Sequence, residues 1–142
     1  MILLDTNVIS EALRIQPDEN VVRWLDLHFS EAAISSVTVL ELAAGVVMLA
    51  SGRRRDALEL AIQRTIRRFG PRVFAFDTAS AMAAAQLFAR ARSQGRGPHQ
   101  VPQKLADLQI AGTALAHGLQ LATRNVGDFE GLDLDLIDPW QG

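Results

Sequence analysis

The chain has 142 residues, 49% of them hydrophobic and 21% charged, with a formal net charge of −2 and no cysteine. That length suits one domain, expected over residues 1–142, whose core buries roughly two thirds of the surface of the unfolded chain. The composition excludes a disordered chain; the missing thiols exclude disulfide frameworks, zinc-thiolate sites and thiol catalysis, and agree with a reducing compartment, for which cytoplasm is the default expectation.

Residues 2–4 form a short apolar run that stops at Asp5, far short of the about 7 to 15 apolar residues of a signal-peptide core. The run reads as a strand buried on both faces, followed by an Asp-Thr-Asn cap and a helix. Val21, Val22, Leu25 and residues 24–29 predict an amphipathic helix, and residues 32–35 a second strand. Residues 37–49 read as a helix rich in small side chains; the longest apolar stretch, 42–50, is too short for the roughly 20 residues that span a bilayer, so no membrane association is expected. Leu58, Ile62, Thr65, Ile66 and Phe69 mark a stripe on the next helix, and residues 73–76 a third strand. Asp77 is the expected N-cap of an alanine-rich helix over 79–92. Residues 93–103, rich in Gly and Pro, read as a loop, and 104–117 as a helix closed by Gly118. Residues 119–122 and 134–137 supply the last strands, the second of them at an edge. Strands alternating with helices imply an α/β fold with a parallel sheet covered on both sides.

Within that frame four acids, Asp5, Glu41, Asp107 and Asp128, fall at the ends or on the packed faces of apolar elements. Burying a lone carboxylate costs several kcal/mol, so such acids call for a compensating cation, and a chain without cysteine points to a hard divalent metal held by oxygen. Asp5 and Asp128 each follow a strand, and in a parallel sheet the carboxyl ends of the strands open on one side. Asp107 shares a helical face with Ile110, Ala111, Ala114 and Leu115; Glu41 shares one with Ala44, Gly45, Met48 and Leu49, and both stripes are expected to pack inward. The field at a helix N-terminus favours an acid by only about 0.3 to 1 kcal/mol, too little to gather four repelling carboxylates. Each acid taken alone has a bland alternative as an N-cap or a surface acid, which Glu41 resists best because glutamate is a poor cap. Thirteen of the fourteen basic residues are arginine. Arg53, Arg54, Arg55, Arg64, Arg67 and Arg68 form one cluster and Arg90, Arg92 and Arg96 another; both are candidates for phosphate or partner contact, or for plain solvated helix faces. His28 and His117 read as partners of helix C-termini, and His99 is unassigned.

The segments Met1-Ile-Leu-Leu-Asp-Thr-Asn-Val-Ile-Ser10, Thr38-Val-Leu-Glu-Leu42, Ala106-Asp-Leu-Gln-Ile-Ala111 and Ala122-Thr-Arg-Asn-Val-Gly-Asp-Phe-Glu-Gly131, with the closing Ile-Asp-Pro-Trp140, resemble the PIN-domain ribonucleases. The resemblance covers essentially the whole chain and is closest to the VapC and FitB toxins of toxin-antitoxin pairs. It implies a three-layer α/β/α sandwich around a mainly parallel sheet of four to five strands. It also implies an endoribonuclease in which Asp5, Glu41 and Asp107, with the more variable Asp128, bind Mg²⁺ or Mn²⁺, supported by Asn7, Thr6 and Thr123. The implied partners are RNA as substrate, a second copy of the chain in a homodimer, and a VapB- or FitA-like antitoxin through which alone promoter DNA is reached. Two departures stand out: the loop at 93–103 looks long, and Gly112 stands where alanine is more common, at about 1 kcal/mol of helix propensity.

Other functions fit parts of the pattern. A non-catalytic binding or regulatory module would use the same acids structurally, and a metal-dependent DNA nuclease would use them identically, since acids at a metal do not read the 2'-hydroxyl. A phosphoaspartyl enzyme built on Asp5 is disfavoured by Asn7, where a second aspartate is expected.

Overall fold

The computed structural model describes residues 1–95 and 105–142. Five strands, β1 (Ile2–Leu4), β2 (Ala32–Ser35), β3 (Val73–Phe74), β4 (Gln120–Ala122) and β5 (Leu136–Ile137), form one sheet in the order β3-β2-β1-β4-β5. All four pairings are parallel, with Leu3 opposite Ala33 on one side and Leu121 on the other. The expected strands at 73–76, 119–122 and 134–137 are thus present in shortened form, the last at the predicted edge.

Seven helices connect the strands among the described residues: α1 (Thr6–Ala12), α2 (Glu19–His28), α3 (Ser36–Val47), α4 (Arg53–Phe69), α5 (Thr78–Ser93), α6 (Leu105–Ala116) and the short α7 (Val126–Phe129). Alternation along each strand divides the interior into two cores. Ile2, Leu4 and Ile34 point to one face, where they meet Val21, Leu42 and Phe69 from α1 to α4. Leu3, Ala33 and Leu121 point to the other, against Leu87, Ile110 and Phe129 from α5 to α7. The result is the expected three-layer sandwich. Among the described residues no helix is long and apolar enough to cross a membrane.

Local signals in the chain account for several boundaries. Asp18 caps α2 through Asn20 and Val21 N–H groups, and Asp77 caps α5 as expected, its Oδ1 accepting from the Ser80 backbone N–H at 2.8 Å and the Ser80 hydroxyl at 2.7 Å. Gly118 follows α6 with φ +64°, the left-handed turn glycine permits. The expected loop over 93–103 and the helix start at Lys104 fall for the most part outside the described residues, as do Arg96 and His99.

Two expectations are corrected. The face of α3 carrying Ala44, Gly45 and Met48 is exposed, Met48 to 85%, while Thr38, Leu42 and Val46 are buried. The helix is apolar nearly all round, so its sequence period does not select an inward face. Gly112, which looked like a weakness in α6, is where that helix crosses α5: a Cβ there would lie 2.6 Å from the Ser80 carbonyl oxygen and 2.7 Å from the backbone nitrogen and Cβ of Ala84. The lost helix propensity is exchanged for close approach of two backbones.

Gly112→Ala is therefore expected to lower the unfolding free energy by about 1 to 3 kcal/mol through overpacking, against the roughly 1 kcal/mol that propensity alone would add; urea denaturation gives the sign directly. The hydrogen bonds from Ser80 hold the Asp77 carboxyl below its usual 3.8. Its cap consequently contributes stability above that value and loses it as pH falls through the lowered folded-state pKa. The melting temperatures of the wild type and Asp77→Ala should differ near neutral pH and converge in strong acid.

Candidate functional site

In this sheet order the chain steps from β1 outward to β2 and β3, then returns to lay β4 on the opposite side of β1. The carboxyl ends of β1 and β4 flank that reversal, the position where open parallel sheets leave a crevice. A cavity of about 720 Å³ opens there. Asp5, Thr6, Asn7, Glu41, Asp107 and Asp128 all line it, so six of the seven residues singled out in the sequence meet at one place. The seventh, Thr123, lies directly behind Asp5.

Asp5 does two jobs. It ends β1 and caps α1, its Oδ1 accepting from the Thr6 backbone N–H at 2.7 Å, and it is only 3% exposed. Its Oδ2 accepts from the Thr123 hydroxyl at 2.8 Å, and the Thr123 oxygen in turn accepts from the Asn125 N–H at 3.1 Å. Asp5 is thus at once the cap of α1 and a lining residue of the cavity.

Glu41 is held in a comparable way from α3. The Thr6 hydroxyl donates to Glu41 Oε1 at 2.7 Å and lies 3.0 Å from the hydroxyl of Thr38. Thr6 has one hydroxyl proton, so Thr38 must donate to Thr6, and the chain of donation runs Thr38 to Thr6 to Glu41. Thr38 is fully buried. It escaped the sequence reading although it lies three residues before Glu41 on the same helix, a spacing that puts both on one side.

Asp107 occupies the first turn of α6, half-buried, above the inward stripe of Ile110, Ala111 and Ala114. Asp128 lies on α7 at the exposed rim. Its neighbours do not compete for the place, because Asp133 pairs with Arg90 at 2.9 Å and only Asp128 of the three nearby acids lines the cavity. Asn7 Oδ1 is buried without a hydrogen-bond partner among the described residues.

Other lining residues were not singled out: Ser10, Glu11, Arg14, Arg124, Asn125 and Trp140. Glu11, 8% exposed, pairs with Arg14 at 3.0 Å. Among the described residues, no arginine of the expected clusters lines the cavity. Arg72 donates to the carbonyls of Phe29 and Ala32, Arg68 lies over the Phe29 ring, and Arg90 holds Asp133. Two of the histidines behave as expected of helix ends, His28 facing Glu31 at 3.1 Å and His117 facing Asp77 at 3.6 Å, away from the site.

The donor set suits a hard cation: carboxylate oxygens and an orphaned amide oxygen, with no sulfur and, among the described residues, no imidazole. Among those residues no group of three or more His, Cys, Asp or Glu side chains is placed to hold a metal ion.

With this geometry in place, the family follows. The PIN domain family model matches residues 2–133. Toxin FitB of Neisseria gonorrhoeae is 41% identical, the alignment covering 99% of each chain, and the VapC ribonuclease Y4jK of Sinorhizobium fredii is 38% identical with the same coverage. The crystal structure of FitAcB from Neisseria gonorrhoeae superposes with a TM-score of 0.88 at 40% identity over the whole of both chains. The chain belongs to the PIN-domain family, and its relatives include VapC and FitB toxins.

The threonine relay generates a test. Thr123→Val keeps the side-chain shape but removes a donor to Asp5 and an acceptor for Asn125, at an expected cost of about 1 to 3 kcal/mol. An unchanged denaturation midpoint would mean that this relay contributes nothing to the fold.

Proposed function

We propose that this chain is a metal-dependent endoribonuclease toxin of a toxin-antitoxin pair, acting in the cytoplasm on phosphodiester bonds of RNA with Mg²⁺ or Mn²⁺. One observation carries the reading: five carboxylates, those of Asp5, Glu11, Glu41, Asp107 and Asp128, face a single cavity at the reversal point of the sheet. The VapC ribonuclease at 38% identity supports the same chemistry.

Asp5, Glu41, Asp107 and Asp128 would hold the ion. When bound, a divalent cation lowers the pKa of a coordinated water and offsets the charge that grows on a phosphodiester under attack. The chain's own part is positioning. Thr123 and the Thr6 N–H lock the rotamer of Asp5, and the Thr38 to Thr6 relay locks Glu41. Asn7 lines the same cavity, and its buried Oδ1 has no hydrogen-bond partner among the described residues. Among the described residues no histidine lines the cavity.

Two surfaces support the expected partners. A second groove of about 870 Å³ runs between α1, α3 and α4, lined by Leu42, Val46, Leu58 and Ile62 and sharing Arg14 and Glu41 with the acidic cavity. An antitoxin segment laid in this groove would reach the acids from the side. Leu40, Val47 and Met48 leave an exposed apolar face on α3 that a second copy of the chain can cover in a homodimer.

The test is cleavage of a mixed end-labelled RNA pool, beside a DNA pool of matching sequence, with Mg²⁺ or Mn²⁺, with chelator, and with Asp107→Asn. The expected result is metal-dependent cutting of RNA that the variant loses by several orders of magnitude while keeping its melting temperature. Asp5→Asn should lose cutting as well, but although its amide oxygen keeps the helix cap, its Nδ2 meets the donating Thr123 hydroxyl, so its melting temperature should fall. Preferential cutting of DNA would reassign the substrate, and no cutting by folded, metal-loaded protein would favour a binding module. Metal should also raise the melting temperature of the wild type more than that of Asp107→Asn, by mass action on the folded state.

A further inference from the structure

The acidic cavity holds two guanidinium groups, and they are placed differently. Arg14 is committed to Glu11 at 3.0 Å. Arg124 has no ion pair among the described residues although five carboxylates line the same space; its guanidinium carbon sits over the Trp140 ring, 5.4 Å from the centroid. Stacking engages the face of the guanidinium and leaves its in-plane N–H fork for another acceptor.

The backbone that carries Trp140 is fixed: its main-chain N–H donates to Asp138 Oδ1 and its carbonyl accepts from Asn20 Nδ2, both at 2.9 Å, and the preceding Pro139 is buried. Arg124 directly follows Thr123, whose hydroxyl holds Asp5. Successive residues after β4 thus fix an acid of the cluster and present a cation beside it.

A phosphodiester approaching this cluster is repelled by its carboxylates and needs positive charge on the protein side. We propose that Arg124, held by the indole of Trp140, binds non-bridging phosphate oxygens of the RNA backbone at the mouth of the cavity, with Trp140 as its positioning residue. This rests on the ribonuclease reading above. It assigns RNA binding to a residue outside the arginine clusters, and phosphate is favoured over a protein carboxylate because cutting requires the phosphate to come within reach of the acids.

The test measures binding apart from chemistry. In the Asp107→Asn background, affinity for a short single-stranded RNA that the wild type cuts is followed by fluorescence anisotropy across a salt series. Arg124→Gln should weaken binding about tenfold and reduce the salt slope by about 0.7, the value for one phosphate contact on a single strand. Arg124→Lys should restore the slope but only part of the affinity, since it lacks the planar fork. Trp140→Leu should weaken binding less than Arg124→Gln does, and Trp140→Phe should recover it; melting curves of both variants separate this from loss of folding. In protein that keeps Asp107, Arg124→Gln should raise KM more than it lowers kcat. Unchanged affinity and slope in Arg124→Gln, with the wild type still cutting RNA, overturns the assignment and leaves the ribonuclease reading standing. A variant that binds RNA normally but loses a partner protein also overturns it. A wild type that neither cuts nor binds RNA overturns both.

Discussion

The site depends on one constraint, the placement of a nearly inaccessible carboxylate at the end of the central strand. Asp5 is tied to the fold through both oxygens, on one side as the cap of α1 and on the other through a hydroxyl 118 residues away. Those bonds offset part of the cost of removing charge from water. Because β1 lies between β2 and β4, fixing Asp5 also fixes how the segments after both neighbouring strands approach the cavity.

The other acids are supported in graded fashion. Glu41 is reached by a two-hydroxyl relay from buried Thr38, Asp107 rides on a helix locked to α5 at Gly112, and Asp128 stands exposed on a four-residue helix.

Much of this was legible in the sequence, for identifiable reasons. Short continuous apolar runs marked every strand, and Asp77 and Gly118 marked helix ends because caps are local chemistry. Six of seven site residues converge because strand ends in a parallel sheet must open together. What escaped was non-local or ambiguous. Thr38 carries no signal until its partner Thr6 is beside it, and Arg124 looked ordinary because its significance comes from Trp140. The arginine clusters drew attention by number, yet Arg68, Arg72 and Arg90 serve packing and loop contacts. The inward face of α3 was misassigned because a helix apolar on all sides gives its period nothing to select. Gly112 read as a defect because close approach between two backbones is invisible in one helix alone.

The two cavities share Ser10, Arg14 and Glu41 along their common wall. Any coupling between ligands in them is reciprocal: a factor by which an occupant of the apolar groove lowers affinity in the acidic cavity would be returned in full by the occupant of the acidic cavity. A chain already engaged with its substrate would be correspondingly harder to silence, so the order of encounter, as well as the relative amounts of the partners, would shape how such a protein is controlled.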